Sequence, residues 1–351
     1  MQSRSRLLRA TALAGLLAGS AFGCAQDPKT HTQFTAVTNL PTASGAGGST
    51  GAAGSSGGAG ATMSNPDAST INGGMTVGCG MDPMQPVGTY FQYQIPIAGP
   101  DLDANNQPKV RTRTYFVRLP TGYDSTKPYR VVYLGPGCGG NAASDVLRLY
   151  TYSMTDAILV AIMPLPEFGA CFDESVKSVE YPFFDAVHKK IEAAFCVDPT
   201  RQFYAGFSTG ARLGFMLNCA FADVLRATSS IQGGLPPLPA CVKHPIAMFT
   251  VSDTLETGNP YSEGVKAAQG VFAQNGCTGS FMSPMPPGGC GTACTPYDTM
   301  AMPLNANTPN CVKYVGCPAD YPVIFCTSQG AGHITYEPWS DQALWTFFKS
   351  F

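Results

Sequence analysis

The residues best suited to chemistry converge on one stretch, Gly206-Phe207-Ser208-Thr209-Gly210. The pattern G-x-S-x-G is weak by itself in a chain with 39 glycines, and it recurs at Gly47–Gly51 and Gly54–Gly58 within a low-complexity region. Context separates Ser208 from these. Phe203–Phe207 reads as a buried strand, and Leu213, Met216, Leu217 and Ala220 carry helical spacing behind it. A serine on a sharp strand-to-helix turn needs small flanking residues, and the following helix aims free N–H groups at developing negative charge. The chemistry implied is nucleophilic attack on a carbonyl, once a base removes the serine proton.

Four histidines are candidates for that base. His31 lies in the low-complexity region, His188 falls within a helical pattern as a surface or interface residue, and His244 opens a strand at the wrong end. His333, in Gly330-Ala331-Gly332-His333, follows the strand Val323–Cys326 on a loop whose glycines let the ring reach over a sheet edge. His333 is therefore the expected base. In triads whose serine sits on a G-x-S-x-G strand-to-helix turn, the chain order is serine, acid, histidine. Asp253 follows the apolar run Ile246–Val251 and is the expected acid, with Glu256 close enough to remain a rival. Asp223 falls on the helix after Ser208 and Asp298 in a Cys/Pro-rich loop. The oxyanion requires backbone donors. Thr209, directly after the nucleophile, supplies one. The other comes from the loop Gly135–Gly140, where Pro136 has no N–H and Cys138 is the expected donor. That loop lacks the lysine and Ser/Thr of a phosphate-binding loop.

These groups need elements to hold them. Val110–Leu119 alternates as a half-exposed strand, while Arg130–Leu134 and Ala157–Met163 are apolar enough for strands buried on both faces. Tyr181–Phe195, Thr209–Leu225 and Trp339–Phe348 carry helical periodicity. Strands alternating with helices predict an α/β fold with a mostly parallel central sheet and helices on both faces.

The 351 residues are 44% hydrophobic and only 13% charged, so a large core can form. Residues 1–23 read as a signal peptide, with Arg4, Arg6 and Arg9 ahead of the short apolar run Ala10–Ala21. Without it the net charge moves from −2 to −5, and no basic run marks a nucleic-acid partner. Cys24, after Ala21-Phe22-Gly23, fits either plain secretion or a lipoprotein whose lipid anchors it to a membrane. Residues 24–75 are rich in Gly, Ala, Ser and Thr and read as a disordered tether, which leaves residues 76–351 as one catalytic domain. Twelve cysteines follow Cys24, an even number that favours disulfides in an exported chain. The competing metal site, Cys290-x3-Cys294 with Cys311 and Cys317, has no histidine among its ligands, and no metal or cofactor is expected. Nothing in the sequence selects an oligomeric state.

Three motifs occur together and in order: Val131-Val132-Tyr133-Leu134-Gly135-Pro136-Gly137-Cys138-Gly139-Gly140, Val197-Asp198-Pro199 through Gly206-Phe207-Ser208-Thr209-Gly210, and Gln329-Gly330-Ala331-Gly332-His333. In this the chain, from about Thr114 to its end, resembles the secreted esterases of the feruloyl esterase, polyhydroxybutyrate depolymerase and acetylxylan esterase group. The resemblance implies an α/β-hydrolase fold without cofactor, Ser208 as nucleophile, His333 as base, and an acid at the end of Ile246–Val251. It also implies an ester substrate in a polymer or small molecule, with feruloyl esters of plant xylan first and polyhydroxybutyrate or acetyl esters as alternatives. The chain departs from the group at Pro136-Gly137, where His-Gly is frequent, and at Thr250-Val251. A tethered binding module on an inactive hydrolase scaffold is the rival from another class.

Overall fold

A computed structural model of the chain describes residues 75–141, 147–238, 244–284, 289–303 and 307–351. The expected signal peptide, Cys24 and almost all of the expected tether lie outside the described residues, as does Cys241.

The elements follow in the order β1 (Tyr90–Leu102), β2 (Pro108–Arg118), β3 (Tyr129–Gly135), α1 (Tyr150–Ser153), β4 (Ala157–Ile162), α2 (Glu180–Ala194), β5 (Val197–Phe207) and α3 (Thr209–Ala220). Then come β6 (Ala227–Ile231), β7 (Ala247–Asp253), α4 (Tyr261–Gln274), β8 (Cys294–Pro296), β9 (Asn310–Tyr314), β10 (Val323–Ser328) and α5 (Trp339–Lys349). One sheet runs β1-β2-β4-β3-β5-β6-β7-β10-β9-β8. The central strands β4, β3, β5, β6, β7 and β10 pair in parallel, and antiparallel strands flank them on both sides. This is the α/β-hydrolase architecture expected from the sequence.

Alternation along each central strand divides the core in two, because successive side chains leave opposite faces of a sheet. Along β3, Val131 and Tyr133 join the cluster under α2, α3 and α4, while Val132 and Leu134 join the cluster under α5. Burial on both faces explains the uninterrupted apolar run of β4, every residue of which is buried.

Several elements depart from the sequence reading. The helix expected at Thr209–Leu225 ends at Ala220. Strand β6 was not expected, since its centre is Thr228-Ser229-Ser230. All five residues are nevertheless buried, with Thr228 bonded to Asn218 and the Ser230 hydroxyl donating to the Ala211 carbonyl at 3.0 Å. His188 is not a surface residue: it is buried, stacked on Phe184 with ring centroids 5.9 Å apart.

Five disulfides join described cysteines: Cys79–Cys196, Cys138–Cys171, Cys277–Cys317, Cys290–Cys294 and Cys311–Cys326. Cys219 is disulfide-bonded as well. Four cysteines of the alternative metal site are thus committed to sulfur–sulfur bonds.

The parallel strands end together. Gly135 pairs with Gly206, Phe207 with Ile231, Ile231 with Val251 and Ser328 with Asp253. The loops leaving β3, β5, β7 and β10 therefore emerge along one edge, the carboxyl end where open α/β sheets bind ligands.

Candidate active site

Ser208 sits between β5 and α3 at φ 56°, ψ −120°, a conformation sterically disfavoured for any residue with a Cβ. Its N–H donates to the Ile231 carbonyl at 3.0 Å, and its carbonyl accepts from Arg212 N–H at 3.0 Å. The turn closes because its flanks carry no side chains. A Cβ on Gly206 would overlap the Gly210 carbonyl, and one on Gly210 would overlap the Gly135 carbonyl. Beneath the turn, the buried Tyr204 hydroxyl donates to the Gly210 carbonyl at 2.8 Å.

The loop after β3 lies directly against this turn. A Cβ on Gly137 would stand 3.1 Å from Ser208 Cβ. Within the loop, Gly139 N–H donates to the Ala170 carbonyl at 2.8 Å and Gly140 N–H to the Gly137 carbonyl at 3.1 Å. Pro136 has no donor. Among the described residues, the N–H groups of Cys138 and Thr209 have no protein acceptor. Thr209 Oγ1 is 3.6 Å from Cys138 Sγ, so the two residues expected to hold an oxyanion are neighbours. The Cys138–Cys171 disulfide ties this loop to the segment after β4.

The His333 ring packs on Phe207, the residue before Ser208, with centroids 4.8 Å apart. Its Nδ1 lies 2.5 Å from Glu256 Oε2, and the Glu256 side chain is 4% exposed against 40% for His333. The other carboxylate oxygen of Glu256 accepts N–H bonds from Gly258 at 2.6 Å and Asn259 at 3.4 Å. Both oxygens are thus fixed, and a proton on Nδ1 leaves Nε2 able to accept one.

Asp253, the acid expected from the sequence, is placed differently. It is fully buried at the end of β7, and its Oδ2 accepts from the Ser328 hydroxyl at 2.7 Å and Ala331 N–H at 2.9 Å. Its Oδ1 accepts from Leu255 N–H at 2.8 Å. Burial raises its pKa, but hydrogen bonds from Ser328, Leu255, Ala331 and Gly332 outweigh that and hold the carboxyl below its ordinary value. The position facing the imidazole therefore moves from Asp253 to Glu256. The physical reason is reach: Asp253 ends a buried strand, whereas Glu256 lies beyond the turn that Asp253 organises.

Three further residues hold the His333 loop and were missed in the sequence. Gln232, at φ 55° just past β6, donates to the Gly332 carbonyl at 2.9 Å and accepts from Asp253 N–H at 3.1 Å. The Tyr336 hydroxyl bonds both Gln232 and Ser328. A polar residue directly after a buried strand was the available signal for Gln232, but nothing in the sequence tied it to His333. Of the remaining candidates, His244, Asp223 and Asp298 are exposed and make no contact with this cluster.

No family model matches the chain. It is 26% identical over 224 residues to a probable feruloyl esterase C of Aspergillus oryzae, covering 61% of this chain and 74% of that protein. It is 27% identical over 211 residues to feruloyl esterase C of Emericella nidulans, covering 57% and 76%. Against feruloyl esterase D of Neurospora crassa it is 23% identical over 259 residues, covering 69% and 83%. Among solved structures, an acetyl xylan esterase from Aspergillus awamori aligns with a TM-score of 0.49 at 13% identity, over 73% of this chain and 99% of that one. The resemblance to esterases of this group, carried in the sequence by its three motifs, extends to these relatives.

Proposed function

We propose that the chain is a serine carboxylic-ester hydrolase working through Ser208, His333 and Glu256. One observation carries the reading: a serine in a disfavoured backbone conformation directly follows Phe207, whose ring packs 4.8 Å from a half-exposed imidazole with its Nδ1 2.5 Å from a buried carboxylate. Glu256 orients the ring and stabilises its charged form, and His333 Nε2 takes the Ser208 proton as the hydroxyl attacks the ester carbonyl. The N–H groups of Thr209 and Cys138 receive the oxyanion. His333 then protonates the departing alcohol, and water activated by the same imidazole releases the acid. Asp253 has a positioning role, fixing the turn to Glu256 and the loop to His333 through one carboxylate.

Feruloyl esters of plant xylan are the favoured substrates, supported by the names of the relatives; acetyl esters and polyhydroxybutyrate are the alternatives. The five disulfides between described cysteines support work in an oxidising compartment, in keeping with export as a secreted or lipid-anchored protein. The test is release of ferulic acid from methyl ferulate at neutral pH beside Ser208→Ala, with labelling by a fluorophosphonate probe. Turnover and labelling in the parent, both lost in the variant, are expected. An unlabelled parent would favour the inactive binding module.

A further inference from the structure

Arg212 lies on the first turn of α3, and its N–H closes that turn onto the Ser208 carbonyl at 3.0 Å. Its side chain, 19% exposed, reaches three other segments. On one side the guanidinium pairs with Glu174 at 2.7 Å. Glu174 closely follows Cys171, whose disulfide holds Cys138 and the loop after β3. On the other side Nη1 donates to Asn259 Oδ1 at 3.4 Å and stands 3.8 Å from Glu263 Oε2 on the first turn of α4. The remaining nitrogen, Nε, is buried without a hydrogen-bond partner, which works against stability. Asn259 carries the contact onward. Its Oδ1 also accepts from Gly234 N–H at 3.1 Å, and its own N–H donates at 3.4 Å to Glu256 Oε1, the oxygen that does not face His333. Gly234 leaves room for this cluster: a Cβ there would overlap Glu263 Oε2 and stand 2.7 Å from Arg212 Nη1. Its φ is not positive, so the absent side chain serves the packing rather than the backbone.

Acyl transfer needs the nucleophile, the oxyanion donors and the carboxylate behind the imidazole in register, and here they come from separate loops. Arg212 is bonded to the first through its backbone and linked to the other two through Glu174 and Asn259. A planar guanidinium offers donors in fixed directions and can hold two partners at a set separation, which a lysine ammonium on its flexible stem does less well. We infer that Arg212 is a positioning residue for the reaction. It touches no reacting atom and acts through Asn259 on Glu256, and so on the alignment of His333, with Glu174 as the opposite anchor. The inference rests on the esterase reading with Glu256 behind His333.

The test is a double-mutant cycle in the full chain, read by turnover of methyl ferulate and by the rate of fluorophosphonate labelling, which needs no choice of ester. Two changes disturb the guanidinium by different routes. Arg212→Met removes it, and Gly234→Ala crowds it while meeting only side-chain ends. Each should lower kcat about tenfold to a hundredfold, the scale of a 1 Å misplacement, with KM changed less than about threefold. Arg212→Lys, which keeps the charge without the planar fork, should recover part of the loss. In a Glu256→Gln background the same two changes should cost less than about threefold, because the group they act through is already gone. Melting temperatures show which variants are folded, and Gly234→Ala carries the test if Arg212→Met is not. Equal losses in both backgrounds, or an unmoved kcat in the folded variants, overturn the inference while the esterase reading stands. A Glu256→Gln variant as active as the parent removes the assignment of Glu256 and the inference with it. A parent that turns over no ester and leaves Ser208 unlabelled overturns the esterase reading as well.

Discussion

Replacing the two carboxylates one at a time separates the chemistry from the scaffold. Glu256→Gln keeps the shape of the side chain and its bonds from Gly258 and Asn259, but it turns an amide toward His333 Nδ1. The imidazole then loses the partner that stabilises its charged form, and the tautomer with the proton on Nε2, which cannot accept from Ser208, is favoured. The comparable change in serine triads lowers kcat about 10³- to 10⁴-fold, or roughly 4–5.5 kcal/mol. Folding should be little affected. Asp253→Asn does the reverse. Its Oδ2 takes two donors and its Oδ1 a third, all buried, and an amide keeps only one oxygen. At least one donor must then face an NH₂ group, and the charge-assisted character of every bond is lost. That costs about 2–4 kcal/mol, or roughly 3–7 °C in melting temperature for a body of this size. Activity should fall no more than about tenfold, through slack in the His333 loop. Turnover of methyl ferulate and thermal unfolding at pH 7 read both quantities. The reasoning fails if Asp253→Asn loses a thousandfold in kcat at an unchanged melting temperature while Glu256→Gln keeps more than a tenth of its activity.

Asp341 on α5 is buried with Oδ1 unpartnered, and burial together with the nearby Glu337 pushes its pKa from 3.8 up to about 7. The native state holds a proton there that the unfolded chain releases, so this residue makes stability fall as pH rises from about 4 to 7. Asp341→Asn should therefore stabilise the protein by up to a few kcal/mol at pH 8 and hardly at pH 4; equal shifts in urea midpoint at both would contradict this. Asp253 has the opposite sign. Its lowered pKa gives stability that is present above about pH 4 and lost as pH falls below that, through its folded value. Acid unfolding of Asp253→Asn should accordingly be less steep than that of the parent. Replacing Cys138 and Cys171 together by serine should remove about 3–4 kcal/mol of stability, from a crosslink spanning 33 residues. It should also lower kcat more than KM, because the freed loop carries the Cys138 N–H. A pure KM effect would show that the loop positions substrate instead.

The sequence carried the fold where burial was two-sided or periodic. Ala157–Ile162 and Val323–Ser328 announced themselves as apolar runs, and the helix behind Ser208 by its 3.6-residue spacing. Strand β6 stayed hidden because its hydroxyls are satisfied by Asn218 and by the Ala211 carbonyl, partners that exist only once the chain is folded. The same limit applied to the carboxylate that faces His333. Distance from the strand end favoured Asp253, and only the bonds of Asp253 to the two loops reveal that it organises the turn which brings Glu256 forward. His188 was misplaced for a related reason: its partner Phe184 is one turn away on α2, but the neighbours that bury both belong to other elements.

The backbone angle at Ser208 has a consequence for the history open to such a chain. Glycine adopts φ 56°, ψ −120° without penalty, whereas serine holds it at a cost of about 1–3 kcal/mol. On the proposed mechanism, Ser208→Gly would thus yield a more stable protein that turns nothing over. Without selection for turnover, mutation runs downhill toward that sequence, and stability alone would never bring the hydroxyl back. In a chain whose neighbouring positions 206 and 210 are already glycine, the serine between them is the one residue of the turn that folding has no reason to keep.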